Sequence, residues 1–324
     1  MTTLVTGATG LVGNNVVRQL LQRSEPVRVL VRQQSDRRPL EGLDVEIVHG
    51  DIRDRKQVQD ACEGVEVVIH SAGWVHIGWT GMELARAVNV DGSRNVAEAA
   101  LSARARMVHV SSMNALGIGR RDRLATEESP RVGQVPCPYM ITKRAAEEIV
   151  LDLVTKGLDA VVLNPSFMLG PWDWKPSSGR MVVEVARRFT PVAPRGGSSI
   201  SDVRDVAAAV LAAVDRGVRG RRYLLTGQNM PYIELWRLIA DVTGGRRPWI
   251  RIGPLASHVA GWVGDLISRT RGQELDINSA ASRISNQYHY YSSARATAEL
   301  GYRTRPPSES VRDAWQWFGE HGYV

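Results

Sequence analysis

Thr3-Leu4-Val5-Thr6-Gly7-Ala8-Thr9-Gly10-Leu11-Val12-Gly13 is the stretch on which the fold turns. Its first four residues read as a short buried strand, and from Leu11 onward Val12, Asn15, Val16, Gln19 and Leu20 recur at helical spacing. Between strand and helix, Gly7 and Gly10 let the backbone turn sharply and approach a pyrophosphate without a Cβ in the way. Gly13 lets the helix pack closely on the strand, and the first N–H groups of the helix are free for an anion. Strand, glycine turn and helix in that order predict a dinucleotide phosphate cradle, with Gly7, Thr9, Gly10, Leu11 and Gly13 as its contacts.

Outward from this unit the same alternation repeats. Strands are expected at Thr3–Thr6, Val27–Val31, Val45–Val48, Val65–His70, Met107–Ser111 and Ala160–Leu163, with helical patterns between several of them. Strands that are almost continuously apolar and alternate with helices predict a parallel sheet covered on both faces. After Pro165 the pattern changes to a Gly-, Pro- and Ser-rich loop at 170–179, a helix at 180–188, another at 201–215 and a strand at 221–225. A Trp-rich helix lies at 311–318. The expected class is α/β: a Rossmann doubly wound parallel sheet with a smaller, mostly helical C-terminal substrate domain. Residues 1–165 form the dinucleotide-binding part, to which the chain returns around 200–226 and 283–300, and 166–324 mainly the substrate-binding part. Segment 255–267 is apolar on one side through Val259, Trp262, Val263 and Leu266, and reads as a core or substrate-facing helix rather than a membrane-associated one.

Composition narrows the function. The chain has 324 residues with 43% hydrophobic and 23% charged, which excludes disordered, collagenous and disulfide-scaffold classes. Its two cysteines, Cys62 and Cys137, are too far apart in sequence for a metal pair and suit a reducing cytoplasm. No stretch reaches the ~18–20 apolar residues of a membrane span, and the N-terminus lacks the pattern of a signal peptide. The net charge is +7, but the arginines are scattered among carboxylates, so no nucleic-acid groove is expected. Only four of 41 basic residues are lysine, which draws the eye to where lysine persists.

Three further features carry chemistry. The second strand ends Val31-Arg32, where an acid would select a ribose hydroxyl; a guanidinium instead suits a 2′-phosphate and favours NADP over NAD. Asp51 and Ile52 follow the third strand, suiting the adenine, and Ser71-Ala72-Gly73 follow the fourth, where a bare backbone can pass beside the cofactor. Tyr139-Met140-Ile141-Thr142-Lys143 opens a helix after Pro138, placing tyrosine and lysine on one face. The lysine's charge is expected to lower the phenol's pKa so that it can give or take a proton. Ser111-Ser112-Met113-Asn114 ends the fifth strand, at the sheet edge where ligands sit; Ser112 is the catalytic candidate and Ser111 a support.

These motifs, in this order, resemble the extended short-chain dehydrogenase/reductase superfamily, also called the NAD-dependent epimerase/dehydratase family, over nearly the whole chain. Asn89-Val90-Asp91-Gly92, Asn164-Pro165-Ser166, Asp202-Val203-Arg204-Asp205-Val206 and Glu299-Leu300-Gly301-Tyr302 add to the likeness. Within it, Leu30-Val31-Arg32 and Asn164-Pro165-Ser166 resemble the dihydroflavonol-reductase-like and hydroxysteroid-dehydrogenase-like branch. The resemblance implies a Ser112-Tyr139-Lys143 proton relay beside a nicotinamide, with Asn89 in support, Pro165 and Ser166 near the cofactor, and homodimerisation through the Tyr139–Lys143 helix.

Loops near the reactive end are rich in flat apolar residues. Trp74, Trp79, Trp172 and Trp174, with His76, Met113, Asn114 and Phe167, are read as lining a pocket for an aromatic or alicyclic carbonyl compound. The expected activity is NADP(H)-dependent interconversion of a hydrophobic ketone or aldehyde with its alcohol. The alternative is an NAD-dependent nucleotide-sugar epimerase or dehydratase, with Arg180, Arg204 and Arg251 as diphosphate candidates. A redox-sensing dinucleotide-binding protein without turnover would show an eroded triad. No metal site is expected, because the histidines fall at no ligand spacing.

Overall fold

Neighbouring residues within each strand enter different cores, and that fixes the layering. In a computed structural model describing residues 1–324, Val5, Val29, Ile69, Val108 and Val161 are buried in one cluster and Leu4, Leu30, Val68, Met107 and Val162 in another. Successive side chains of a strand point to opposite faces, so both faces of this sheet need cover.

The first half of the chain supplies β1 (Thr3–Thr6), α1 (Leu11–Gln22), β2 (Val27–Val31), β3 (Glu46–His49), α2 (Arg55–Ala61), β4 (Val67–His70) and α3 (Met82–Ala85). It continues with α4 (Gly92–Ser102), β5 (Arg106–Val110), α5 (Pro138–Thr155) and β6 (Ala160–Pro165). The second half supplies β7 (Phe167–Leu169), α6 (Arg180–Arg187), β8 (Val192–Ala193), β9 (Gly197–Asp202), α7 (Val203–Arg216), β10 (Arg222–Leu225) and β11 (Gln228–Pro231). Then come α8 (Tyr232–Thr243), β12 (Ile250–Arg251), α9 (Pro254–Arg271), α10 (Ser279–Ser285), β13 (Tyr288–His289) and α11 (Pro307–Glu320).

Seven strands form the main sheet in the order β10-β6-β5-β4-β1-β2-β3, all parallel. The order reverses at β1, where Thr3 pairs with Val27 on one side and Val67 on the other. Such a reversal opens a crevice at the carboxyl ends of the strands, which is where ligands bind in this architecture. Helices α1 and α7 cover one face and α2, α4 and α5 the other. At about 1.5–3 kcal/mol for each fully buried large aliphatic side chain, these two layers hold the sheet and leave the carboxyl-edge loops free to carry chemistry.

A second, smaller sheet joins β11, β9 and β13, with β7 paired to β9. It packs with α6, α8 and α11 around Leu169, Ile200, Leu235, Ile239 and Trp317. The sequence reading did not anticipate this sheet. Its central strand, Gly197-Ser198-Ser199-Ile200-Ser201-Asp202, has one large apolar residue and so shows no alternation. The fourth main strand begins at Val67 rather than Val65, because the Val65 N–H closes a turn onto the Cys62 carbonyl at 3.3 Å. Segment 255–267 also departs from expectation: the large apolar residues of α9 are exposed, and Ser257, Gly261 and Gly264 are the buried ones. The apolar side of that helix is therefore not part of a core.

Candidate active site

The turn after β1 is shaped by glycines that nothing larger could replace. Gly7 has φ +74°, and a Cβ there would meet the Ala72 nitrogen at 2.5 Å. A Cβ on Gly13 would lie 2.3 Å from the Gly7 carbonyl oxygen and 2.7 Å from Ser71 Oγ. These two therefore clamp β1, α1 and the end of β4 together. Gly10 is different: it is exposed, and its Cβ would meet nothing nearer than the Gly7 oxygen at 3.3 Å. Gly10 also caps α1 without a side-chain bond, so the N–H groups of Leu11, Val12 and Gly13 have no partner within the helix. Free amides beside a bare glycine fit a dinucleotide pyrophosphate, with Thr9 half-buried at its side.

Arg32 stands exposed just past β2, and its charge is felt at Asp51 beyond β3. Asp51 itself is forked by Arg53 at 2.7 Å, and that hydrogen bond holds its carboxyl below the usual range. Ile52 is half-buried against Gly92, at the start of α4. Ser71 Oγ donates to the Thr6 carbonyl at 2.8 Å, leaving the Ala72 and Gly73 backbone at the crevice. Asn89 sits in a π-helical turn spanning Arg86–Asp91, a local distortion often found at functional sites. Its amide clasps the Trp74 backbone, accepting from N at 2.7 Å and donating to O at 3.0 Å, and also donates to Thr142 Oγ1 at 3.0 Å.

Ser112, Tyr139 and Lys143 are brought together and are all buried. Ser112 caps the turn Met113–Ala115 by accepting from the Asn114 N–H at 3.2 Å, which fixes its hydroxyl at the end of β5. Burial pushes the Tyr139 phenol up, and the Ser112 side chain pulls it back. Burial lowers Lys143 to about 8, and Glu147 opposes that shift. The lysine amine donates to the Val110 carbonyl at 3.0 Å. The expected lowering of the phenol's pKa by Lys143 is thus not present in this arrangement, where burial is the largest influence on each group.

Glu147 is the residue that sequence reasoning missed. It lies one helical turn beyond Lys143 on the same face of α5, with its side chain wholly buried. One oxygen accepts from Ser111 Oγ at 2.9 Å and Asn164 Nδ2 at 2.7 Å; the other is gripped by Arg131 and Arg222. Asn164 also donates to the Ser112 carbonyl at 2.9 Å. The ends of β5 and β6 are thereby tied to the helix bearing the tyrosine and lysine. The available signal was a repeat of four along one buried face: Tyr139, Lys143, Glu147.

The pocket residues divide. Trp74 and His76 pack together on the loop after β4, their ring centroids 5.2 Å apart and the planes tilted by 34°. His76 is bound to Glu274 at 2.7 Å. Burial pushes the Glu274 carboxyl up, but hydrogen bonds from Thr80, His76 and the Trp79 and Thr80 backbone prevail and hold it at about 2. Met113 packs with Leu116 and Tyr291, and Phe167 lies half-buried at the start of β7, within the small sheet. Pro165 is buried at the end of β6, and Ser166 Oγ donates to Ser201 at 3.1 Å. Trp172 and Trp174 go elsewhere, against expectation. They pack with Trp317 and His321 of the α11 end, and Trp172, at φ +69°, lies 3.3 Å beneath the Arg18 guanidinium of α1. Residue 172 follows a glycine and proline that swing the loop away from the sheet edge, so these two rings build the second core. Arg180 and Arg204 are committed to Asp276, and to Asp202 and Asp313, and do not converge on a common point.

The chain has clear relatives among known proteins. The family model described as NAD dependent epimerase/dehydratase family matches residues 3–225. The chain is 36% identical to sterol demethylase protein B of Methylococcus capsulatus, covering 100% of both chains. It is 33% identical to a putative dihydroflavonol 4-reductase of Synechocystis sp., over 99% of this chain and 95% of that one. The crystal structure of gox2253 matches with a TM-score of 0.88 at 35% identity, covering 100% of this chain and 99% of that one.

Proposed function

The chain belongs to the NAD dependent epimerase/dehydratase family and is an NAD(P)-dependent oxidoreductase; on that premise we propose that it reduces a hydrophobic cyclic ketone or aldehyde with NADPH. The observation that carries the reading is the buried cluster of Ser112, Tyr139 and Lys143 at the carboxyl edge of the sheet, beside a glycine cradle. When bound, the nicotinamide supplies the hydride for the carbonyl carbon. Tyr139 gives its phenolic proton to the carbonyl oxygen, and Ser112 donates a hydrogen bond that stabilises negative charge developing there. Lys143 holds the nicotinamide ribose, and Asn89 fixes the loop that presents Trp74. Glu147, Asn164 and Ser111 keep the two strand ends in register with α5. Asp51 faces the adenine, and Arg32, with no acid at its position, supports NADP over NAD.

The names of two relatives, a sterol demethylase protein and a dihydroflavonol reductase, support a fused-ring or aromatic substrate. So do Trp74 and His76, both half-buried on the loop after β4. The dinucleotide falls to residues 1–165 and the returning segments, and the substrate mainly to 166–324. Ile141, 43% exposed on α5, supports a homodimer through that helix. Free, buried Cys62 and Cys137 support a reducing cytoplasm. The test is consumption of NADPH across a panel of cyclic ketones, with the Tyr139→Phe protein beside the native one. Tyr139→Phe is expected to keep dinucleotide binding and lose about 10²–10⁴ in turnover. Near-native turnover by the variant would refute the mechanism.

A further inference from the structure

Helix α9 buries the wrong residues for an ordinary core helix. Its inward side is Ser257, Gly261 and Gly264. A Cβ on Gly264 would meet the Ile277 carbonyl oxygen at 1.7 Å, and one on Gly261 the Ser279 Cα at 2.8 Å. The helix backbone is therefore pressed onto segment 277–282, where the Ser257 and Ser282 hydroxyls close the seam at 2.9 Å. At about 100° per residue, the large side chains fall on the opposite side. Leu255, Val259, Trp262, Val263, Leu266 and Ile267 are all exposed, Leu255 by 80%, Trp262 by 65% and Leu266 by 63%. Leaving so many large apolar side chains side by side in water is unfavourable, which marks the stripe as a surface made for a partner.

Unpaired basic side chains flank the stripe at both ends of the helix. Arg251 precedes the helix and Arg269 and Arg271 occupy its last turn, all exposed. The nearby acids are engaged: Asp265 accepts from the Ser279 N–H at 3.0 Å, and Asp276 pairs with Arg180 at 2.9 Å. We propose that α9 docks the protein on an anionic phospholipid bilayer, with the apolar stripe in the acyl boundary and the three arginines on headgroup phosphates. The stripe is a ridge of separately projecting side chains, which inserts among lipid chains better than it fills a protein groove. A second copy would set this arginine rim against itself in a chain of net charge +7. No helix is long and apolar enough to cross a membrane, so the contact is peripheral.

The placement has a consequence for the site. The segment under α9 holds the loop after β4: Glu274 accepts from the Trp79 N–H at 2.7 Å, and the Trp79 indole donates to Ser279 Oγ at 2.8 Å. Ala280 of α10 packs in one cluster with Cys137 and Tyr139. Docking thus sets the lipid close to the pocket, so that an apolar carbonyl substrate enters from the bilayer. That last step rests on the reductase reading; the docking does not.

Co-sedimentation tests it, using vesicles of phosphatidylcholine alone or with about one-third phosphatidylglycerol. The native chain is expected to pellet with the anionic vesicles. Leu255→Ser/Trp262→Ser/Leu266→Ser should reduce the pelleted fraction about tenfold or more, with melting temperature and NADP binding unchanged. Arg269→Glu/Arg271→Glu should weaken the same binding while leaving the stripe intact. Absence of native pelleting with anionic vesicles, or equal pelleting by the triple variant, overturns the proposal. So does a triple variant that turns a dimer into a monomer in light scattering while vesicles bind neither protein, since the face then belongs to a second copy. None of these readouts needs turnover, so failure here and failure of the reductase reading are separately visible.

Discussion

A single carboxylate, Glu147, ties the ends of β5 and β6 to the helix that carries Tyr139 and Lys143. It is wholly buried, and it satisfies two guanidinium groups, a hydroxyl and an amide on two strands and two loops. Removing one partner of a buried ion pair leaves the others charged or polar without compensation, which costs about 3–5 kcal/mol. Glu147→Ala is therefore expected to lower the unfolding free energy, measured by denaturant titration, by that much, and a loss below about 1 kcal/mol would show that the cluster is no clamp. At this scale the sequence was half legible. Tyr139 and Lys143 declare themselves by spacing and by the rarity of lysine, whereas Glu147 looks like one acid among the neighbouring Glu148 and Asp152 until its burial is known. The tryptophans misled for the same reason: a ring at 172 or 174 has no direction in the sequence, and the structure turns both towards α11.

The turn from β1 to α1 is the element most fully written in the sequence, and its glycines have separable duties. Gly7→Ala forces a Cβ into the Ala72 backbone at a left-handed φ, so it is expected to destabilise the fold by at least about 1–2 kcal/mol. Gly10→Ala places its Cβ 3.3 Å from the Gly7 carbonyl oxygen, a tight contact that a shift of a few tenths of an ångström relieves. It should leave the melting temperature nearly unchanged and weaken dinucleotide binding, because the methyl group stands where the pyrophosphate approaches. Equal melting losses in the two variants, or unimpaired binding by the second, would refute this division. Other elements were hidden because their signal is not apolar. The strand Gly197–Asp202 is buried through serines, and α9 hides small residues while showing large ones. Pattern reading assumes that the apolar side faces in, and α9 reverses that assumption.

The whole molecule carries three buried histidines whose neutrality it depends on. Burial holds His70 at about 3 and His289 at about 4, and pushes His109 well down as well. The unfolded chain protonates these rings as pH falls below about 6.5, while the folded chain does not. The unfolded state then binds more protons, so stability falls with pH in that range. Asp173 acts the other way, since burial raises its carboxyl to about 6 and the folded state takes up that proton first. Three groups against one predict a lower denaturant midpoint at about pH 5 than at pH 7, and an unchanged midpoint would contradict the account. An exchangeable NADP at the cradle of a reductase is best probed by native mass spectrometry of the purified chain given NAD and NADP in equal amounts. NADP is expected to bind in preference and to exchange readily. NAD that stays with the protein through purification and resists exchange would contradict the reductase reading and assign the same triad to an epimerase or dehydratase.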